Sequence, residues 1–207
     1  MTNTYHFVSR WRVKASAEEV YDIISQPLEY PRWWPSVYLD SREVASGAAN
    51  GTGRRFLFHT KGLLPYTLRW ESSVTESAPP HRLAFEAAGD FDGRGIWSFV
   101  QNGDFVDITF DWKLAAGKPL LRYLTPVLRP LFAANHRWAM EQGEISLREE
   151  LIRYRARTPE DLFEAAEPRG PVEVPVRWIA VGALAISAIA CIALTRRKSR
   201  KTQAAAA

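Results

Sequence analysis

The chain has 207 residues, 46% of them apolar, with eight Trp and a single Cys. That is enough for one domain of ordinary size with a sizeable core plus appendages, and too little cysteine for an internal disulfide or a cysteine-based zinc site. The net charge of +4 is concentrated at one end: Arg196, Arg197, Lys198, Arg200 and Lys201 crowd the last dozen positions, and without them 22 basic residues face 23 acidic ones, near −1, so the folded part is not a basic nucleic-acid surface.

Tyr5 to Ala15 alternates apolar and polar residues, which predicts a first strand. Ser16-Ala17-Glu18-Glu19 has the form of a capping box and opens a helix carrying Val20, Ile23 and Ile24 on one side. That helix ends before Pro27. Leu28 to Pro35, LEYPRWWP, reads as a short aromatic turn or second helix. Strands are then expected at 37–44, 54–60, 66–75, 81–87, 95–101 and 105–114. Their connections are SGAANGTG, the segment Lys61 to Pro65, Pro79-Pro80, the Gly/Asp-rich AAGDFDGRG and the hairpin signal Asn102-Gly103. In the last strand Ile108, Phe110, Trp112 and Leu114 share one face, and Asp107, Thr109, Asp111 and Lys113 share the other. One side of the sheet is therefore wet and the other buried.

Lys118 to Leu131 is apolar but broken by Pro126 and Pro130, so an unbroken helix there is not expected without a kink. From about Phe132 to Tyr154 a helical period places Phe132, His136, Ala139, Met140, Gly143, Leu147, Leu151 and Tyr154 on one face. Such a helix is roughly 35 Å long, enough to cross a small domain with a curved sheet wrapped round it. Trp138, Ile145 and Ile152 repeat every seven residues on the opposite side. They form either a ridge for a protein partner or the bilayer surface, or a face covered by neighbouring segments. Thr158-Pro159-Glu160-Asp161 has the form of a cap and first turn of a short helix, and Pro168, Pro171 and Pro175 make a semi-rigid linker.

Trp178 to Leu194 is an uncharged apolar stretch with an interfacial Trp at its start and RRKSRK after its end. This is the pattern of a short membrane-spanning helix. No signal-peptide pattern opens the chain. The positive-inside rule would keep the basic tail in the cytoplasm. The missing leader weighs more heavily, and gives a single-pass, C-terminally anchored protein with its folded domain in the cytoplasm.

The AEEVYDII helix, the YPRWWPSV turn after it and NHRWAMEQGEISLREEL in the last helix, in that order, resemble the START-like, Bet v 1-like (SRPBCC) superfamily of polyketide cyclase/dehydrase and lipid-transport proteins. The resemblance covers about Tyr5 to Arg157. It implies an α+β helix-grip fold, a curved antiparallel sheet of about seven strands around a long C-terminal helix, with a cavity between them for an apolar small molecule. The membrane tail lies outside the family pattern. The expected organisation is a helix-grip domain at 1–157, a Pro-rich linker with a short helix at 158–176, a transmembrane helix at 177–195 and a basic tail at 196–207.

The candidate ligand-binding residues are Trp34, Trp70, Trp97, Trp112, His136, Met140 and Gly143. The aromatics would line an apolar cavity or simply fill the core. His136 would meet a ligand carbonyl or act as a base, or be satisfied within the fold. Gly143 costs roughly 1 kcal/mol mid-helix relative to Ala, and leaves room either for a ligand or for a strand or ring. No metal ligands stand at metal spacing, and HEXXH, a phosphate loop and G-x-S-x-G are all absent. No cofactor, metal or catalytic residue is assigned. The leading expectation is a membrane-tethered carrier or sensor for a lipid, isoprenoid or polyketide-like molecule. The alternatives are an aromatase/cyclase-like enzyme, with His136, Tyr66 and Arg69 as first candidates, and a non-catalytic module using the Trp138, Ile145, Ile152 ridge.

Overall fold

The computed structural model describes residues 4–115, 119–156, 162 and 166–172. In chain order it contains β1 (Thr4–Lys14), α1 (Ala17–Ile24), a 3-10 turn (Pro27–Glu29), α2 (Tyr30–Trp33), β2 (Tyr38–Ala45), β3 (Arg55–Lys61), β4 (Thr67–Ala78), β5 (Arg82–Gly89), β6 (Asp92–Asn102), β7 (Phe105–Ala115) and α3 (Pro119–Arg155). The strands form one seven-stranded antiparallel sheet in the order β1-β7-β6-β5-β4-β3-β2. The last strand thus returns to the first, and β1 pairs with β7 without a register break from Thr4↔Ala115 to Lys14↔Phe105. Register shifts in β2 and in β4, between Val74 and Glu76, bend the sheet at its other side.

Alternation decides which face is buried. Phe56 and Phe58, Trp70 and Val74, Trp97 and Phe99, and Ile108, Phe110 and Trp112 all point to the same side and are buried there. α1 starts as the sequence predicts: Glu19 N–H donates to Ser16 Oγ at 3.2 Å, and Ser16 N–H donates back to Glu19 Oε2 at 2.8 Å. Glu19 also accepts a fork from Arg155 at 2.6 and 2.7 Å, so the same carboxylate that caps α1 fastens the end of α3. The Arg155 guanidinium holds the Glu19 carboxyl below its ordinary pKa.

Four expectations are corrected. α3 begins at Pro119, not near Phe132, and runs for 37 residues. Each internal proline removes one ladder hydrogen bond, but helix continues on both sides of Pro126 and Pro130. Tyr154 is not on the buried face: it is 49% exposed, and its hydroxyl donates to Asp22 Oδ2 at 2.9 Å, because α3 overruns the sheet there and meets α1. The Gly/Asp-rich connection is mostly strand, since β5 reaches Gly89 and β6 starts at Asp92. Gly95 is inside β6 because a Cβ there would stand 2.3 Å from the Phe85 ring. In the next hairpin the turn residues are Gly103 and Asp104, with Asn102 paired to Phe105. Only Gly103 has positive φ, at 60°, the pattern of a turn with glycine in its first central position.

Trp138 is half-buried and packs on the core, which leaves Ile145 as the exposed member of the heptad trio, at 37%. Among the described residues no helix is long and apolar enough to cross a membrane. The stretch 178–194 and the expected short helix at 158–161 lie outside the described residues.

Removal of the α1 cap tests its part in this frame. Ser16→Ala is expected to lower stability by about 1 kcal/mol, read as a shift in urea midpoint at unchanged slope. No shift would mean that Arg155 alone holds the start of α1.

Candidate ligand-binding cavity

Two contacts set α3 over the sheet. Gly143 lies directly on Trp34: a Cβ added there would come within 2.3 Å of the indole Cζ2. Two turns further along, the 4% exposed carboxylate of Glu150 receives both ends of the Arg32 guanidinium, Nη1 at 2.9 Å and Nη2 at 2.5 Å. Arg32 also donates through Nε to Glu29 at 2.7 Å. A planar fork of this kind fixes orientation as well as distance. The two anchors are residues of α2 and its C-cap, and the aromatic turn therefore decides where α3 sits. Trp34 stacks on Trp33 and meets Trp11 edge-on, at centroid distances of 5.5 and 5.8 Å.

Beyond Trp34 the helix and the sheet separate, and a cavity of about 680 Å³ opens between them. Six of the seven residues expected from the sequence are on its wall: Trp34, Trp70, Trp97, Trp112, His136 and Met140. Gly143 is not. Its missing side chain leaves room for the Trp34 ring rather than for a ligand. The wall also includes Phe58, Phe85 and Phe91, Tyr38, and Asn135 and Ala139 of α3. Phe58 and Phe85 were legible as strand residues, but nothing in the sequence marks them as facing open space. Phe91 was hidden in a segment read as a loop. Tyr66 is at the rim. Arg69 is exposed and absent from the wall, because it falls on the outer face of β4 between Leu68 and Trp70.

The wall pairs some of its polar atoms, while Trp34 Nε1 is buried without a hydrogen-bond partner among the described residues. Trp70 Nε1–H donates to Thr60 Oγ1 at 3.2 Å. Among the described residues two charged wall residues are engaged at the rim: Lys61 Nζ donates to the Val172 carbonyl at 2.5 Å, and Asp90 Oδ2 accepts from Arg69 N–H at 2.9 Å. Burial pushes the Tyr38 phenol well up, so it stays protonated. His136 stacks on Phe7 with centroids 4.5 Å apart, and its Nε2 is hydrogen-bonded to Ser9 Oγ at 3.2 Å in the sense set by its tautomer. Burial lowers its pKa from 6.5 to about 4. It is therefore neutral near pH 7, with Nδ1 lacking a hydrogen-bond partner among the described residues. Among those residues no group of His, Cys, Asp or Glu is placed to hold a metal.

An antiparallel sheet gripping one long helix, with an aromatic cavity between them, defines a class of small-molecule-binding folds. Residues 4–151 match the model of the family described as polyketide cyclase/dehydrase and lipid transport, and the chain belongs to that family. No curated protein sequence matches it significantly. Among solved structures it is similar to TTHA0849 from Thermus thermophilus, at TM-score 0.59 and 17% identity, covering 73% of this chain and 100% of that one. It is also similar to the Zhui aromatase/cyclase from Streptomyces sp. R1128, at TM-score 0.59, 14% identity, 74% and 97% coverage. A START superfamily protein from Mycobacterium smegmatis gives TM-score 0.53, 19% identity, 66% and 94% coverage. At these identities the structural likeness speaks for the fold.

Two outcomes test the site. Gly143→Ala is expected to destabilise the protein although Ala favours helix by roughly 1 kcal/mol, and the loss should shrink when Trp34→Phe removes the crowded ring edge, a coupling visible in a double-mutant cycle. His136 is expected to make stability fall with acid. Its folded pKa of about 4 lies below its unfolded 6.5, so its contribution is complete above 6.5 and is lost as pH drops from 6.5 toward 4, by at most about 3 kcal/mol. Urea titrations of the wild type and His136→Gln at pH 7 and 4.5 measure it: the wild type should lose more.

Proposed function

We propose that the domain holds one uncharged, apolar small molecule of lipid, isoprenoid or polyketide type in the cavity under α3. We propose further that the stretch 178–194 tethers it to a membrane as a carrier or sensor. The observation that carries the first part is a volume of about 680 Å³ left open among aromatic rings that could have packed against one another. Natural cores rarely leave such space, and an apolar cavity of this size suits a ligand of drug-like or lipid-fragment dimensions. Among the described residues of the wall, Lys61 and Asp90 are already engaged and His136 is neutral, so these groups favour an uncharged ligand. His136 supplies an adaptable polar contact, as donor or acceptor according to tautomer, for a carbonyl or hydroxyl, and the unpartnered Trp34 Nε1–H is a second donor on the wall.

An aromatase/cyclase-like activity is the second reading, and His136 is the observation in its favour. A neutral imidazole on an apolar wall is able to take a proton from an activated carbon or hydroxyl. Family membership accommodates both readings, since fold does not choose between binding and catalysis.

Ala139 offers a direct test, because it is on the wall and carries only a methyl group. Ala139→Trp should fill the cavity from the helix side without touching the Trp34 or Glu150 anchors. Purified wild-type chain is expected to release one neutral apolar compound at near-stoichiometric amount on organic extraction, identified by mass, and Ala139→Trp prepared alike should release at least tenfold less. Bulk phospholipid in equal amount from both proteins would count against a specific ligand.

A further inference from the structure

β1 holds the His136 ring at two points. Phe7 and Ser9 are two residues apart on that strand, opposite Trp112 and Phe110 of β7, so both point inward under α3. The imidazole stacks on Phe7 with the ring planes 18° apart, which fixes the plane of the ring. Ser9 Oγ then stands 3.2 Å from Nε2. One turn earlier on α3, Phe132 meets Tyr5 edge-on at 5.9 Å, so helix and strand are in step here.

His136 is on the cavity wall and Ser9 is not. The ring therefore turns Nε2 toward the strand and leaves Nδ1 as its polar atom for the cavity. Nδ1 has no hydrogen-bond partner among the described residues and is not among the polar atoms buried there without one, so it keeps access to the open space. The imidazole is neutral, and one nitrogen carries the proton while the other carries a lone pair. Two arrangements are compatible with the Ser9 contact. If Nε2–H donates to Ser9, the serine hydroxyl proton and the Nδ1 lone pair both lack partners among the described residues. If Ser9 O–H donates to Nε2, only Nδ1–H is left over. Each unmade hydrogen bond in a desolvated place costs free energy, which favours the second arrangement. The bond made at one ring nitrogen thus sets what the other presents.

We propose that Ser9 is a positioning residue: by donating to Nε2 it fixes the proton of His136 on Nδ1, and the cavity thereby selects a ligand with a carbonyl oxygen at that point. This rests on the cavity reading above and names the group that the ligand carries there. A carbonyl meets an N–H donor and leaves no proton over, whereas an alcohol brings its own O–H, which needs a further acceptor. The unpaired Trp34 Nε1–H is a donor too. The arrangement also weighs against proton abstraction by His136, because its lone pair faces Ser9 and not the guest.

Two measurements on the full chain separate the parts of the proposal. The first needs no ligand. Long-range proton–nitrogen correlation spectra of protein carrying isotope-labelled histidine, at neutral pH, are expected to show Nδ1 of His136 protonated and Nε2 bare, with the pattern assigned by its loss in His136→Gln. Ser9→Ala should lose this single pattern, and Ser9→Thr, which keeps the hydroxyl, should retain it. The reverse pattern in the wild type, or an unchanged pattern in Ser9→Ala, would overturn the role of Ser9. The second measurement titrates 2-acetylnaphthalene and 1-(2-naphthyl)ethanol, a ketone and its alcohol on one ring system, by quenching of tryptophan fluorescence. The ketone is expected to bind the wild type about tenfold more tightly, the effect of one hydrogen bond, and the ratio should fall toward one in Ser9→Ala. Equal affinities in the wild type, or a preference for the alcohol, would overturn the selection of a carbonyl. Binding of neither probe would overturn that selection together with the cavity reading beneath it, while the spectra would still decide the part played by Ser9.

Discussion

The close approach of Gly143 to the Trp34 indole is the constraint on which the rest of the structure depends. A helix laid on a sheet normally sinks until side chains interdigitate. At Gly143 α3 has no side chain and the ring below it sets the height, while Leu147 and Leu151 pack into the core further along. The Arg32–Glu150 fork two turns away fixes the second point and so the direction of the axis. Breaking one partner of such a buried pair is costly, because the remaining charge is left without compensation. Both anchors rise from the same short aromatic turn, which explains why a segment of so few residues carries three buried rings, Tyr30, Trp33 and Trp34.

With its height fixed near α1, α3 passes over the other half of the sheet at a distance the described side chains do not fill. The cavity follows from that geometry rather than from a shortage of apolar residues. Trp97 and Phe110 stack at 4.1 Å, and Phe110 and Trp112 at 5.6 Å, along the sheet surface. Stacked in this way the rings are spent on one another along the sheet, and they line the open space without filling it. His136 sits on the facing helix, stacked on Phe7 of β1. It is polar enough to orient a guest and too desolvated to be charged near neutral pH.

The segment 166–172 follows a separate logic. It has no regular secondary structure and is held by carboxylate, guanidinium and ammonium contacts from Glu149, Arg153 and Lys61. Exposed contacts of this kind contribute little each. Their effect is to bring Val172 to Lys61 at the cavity rim.

Much of the fold was legible in the sequence because it rests on local periodicity and on chemistry between near neighbours. The alternation in β7, the Ser16–Glu19 box and the apolar stripe of the last helix each need only a few residues to be read, and the order of elements then named the family. The cavity residues were legible as a set, since inward parity on a strand is a local property. What the sequence left open are statements about distance between segments far apart in the chain. Gly143 was compatible with a guest or a ring until Trp34, more than a hundred residues earlier, was seen beneath it. Gly95 and its neighbours looked like turn chemistry because their reason, the Phe85 ring on the adjacent strand, is not local. Whether aromatic side chains fill a core or line a space depends on how far the opposing helix stands off. Two tertiary anchors set that distance, and no pattern along the chain encodes it.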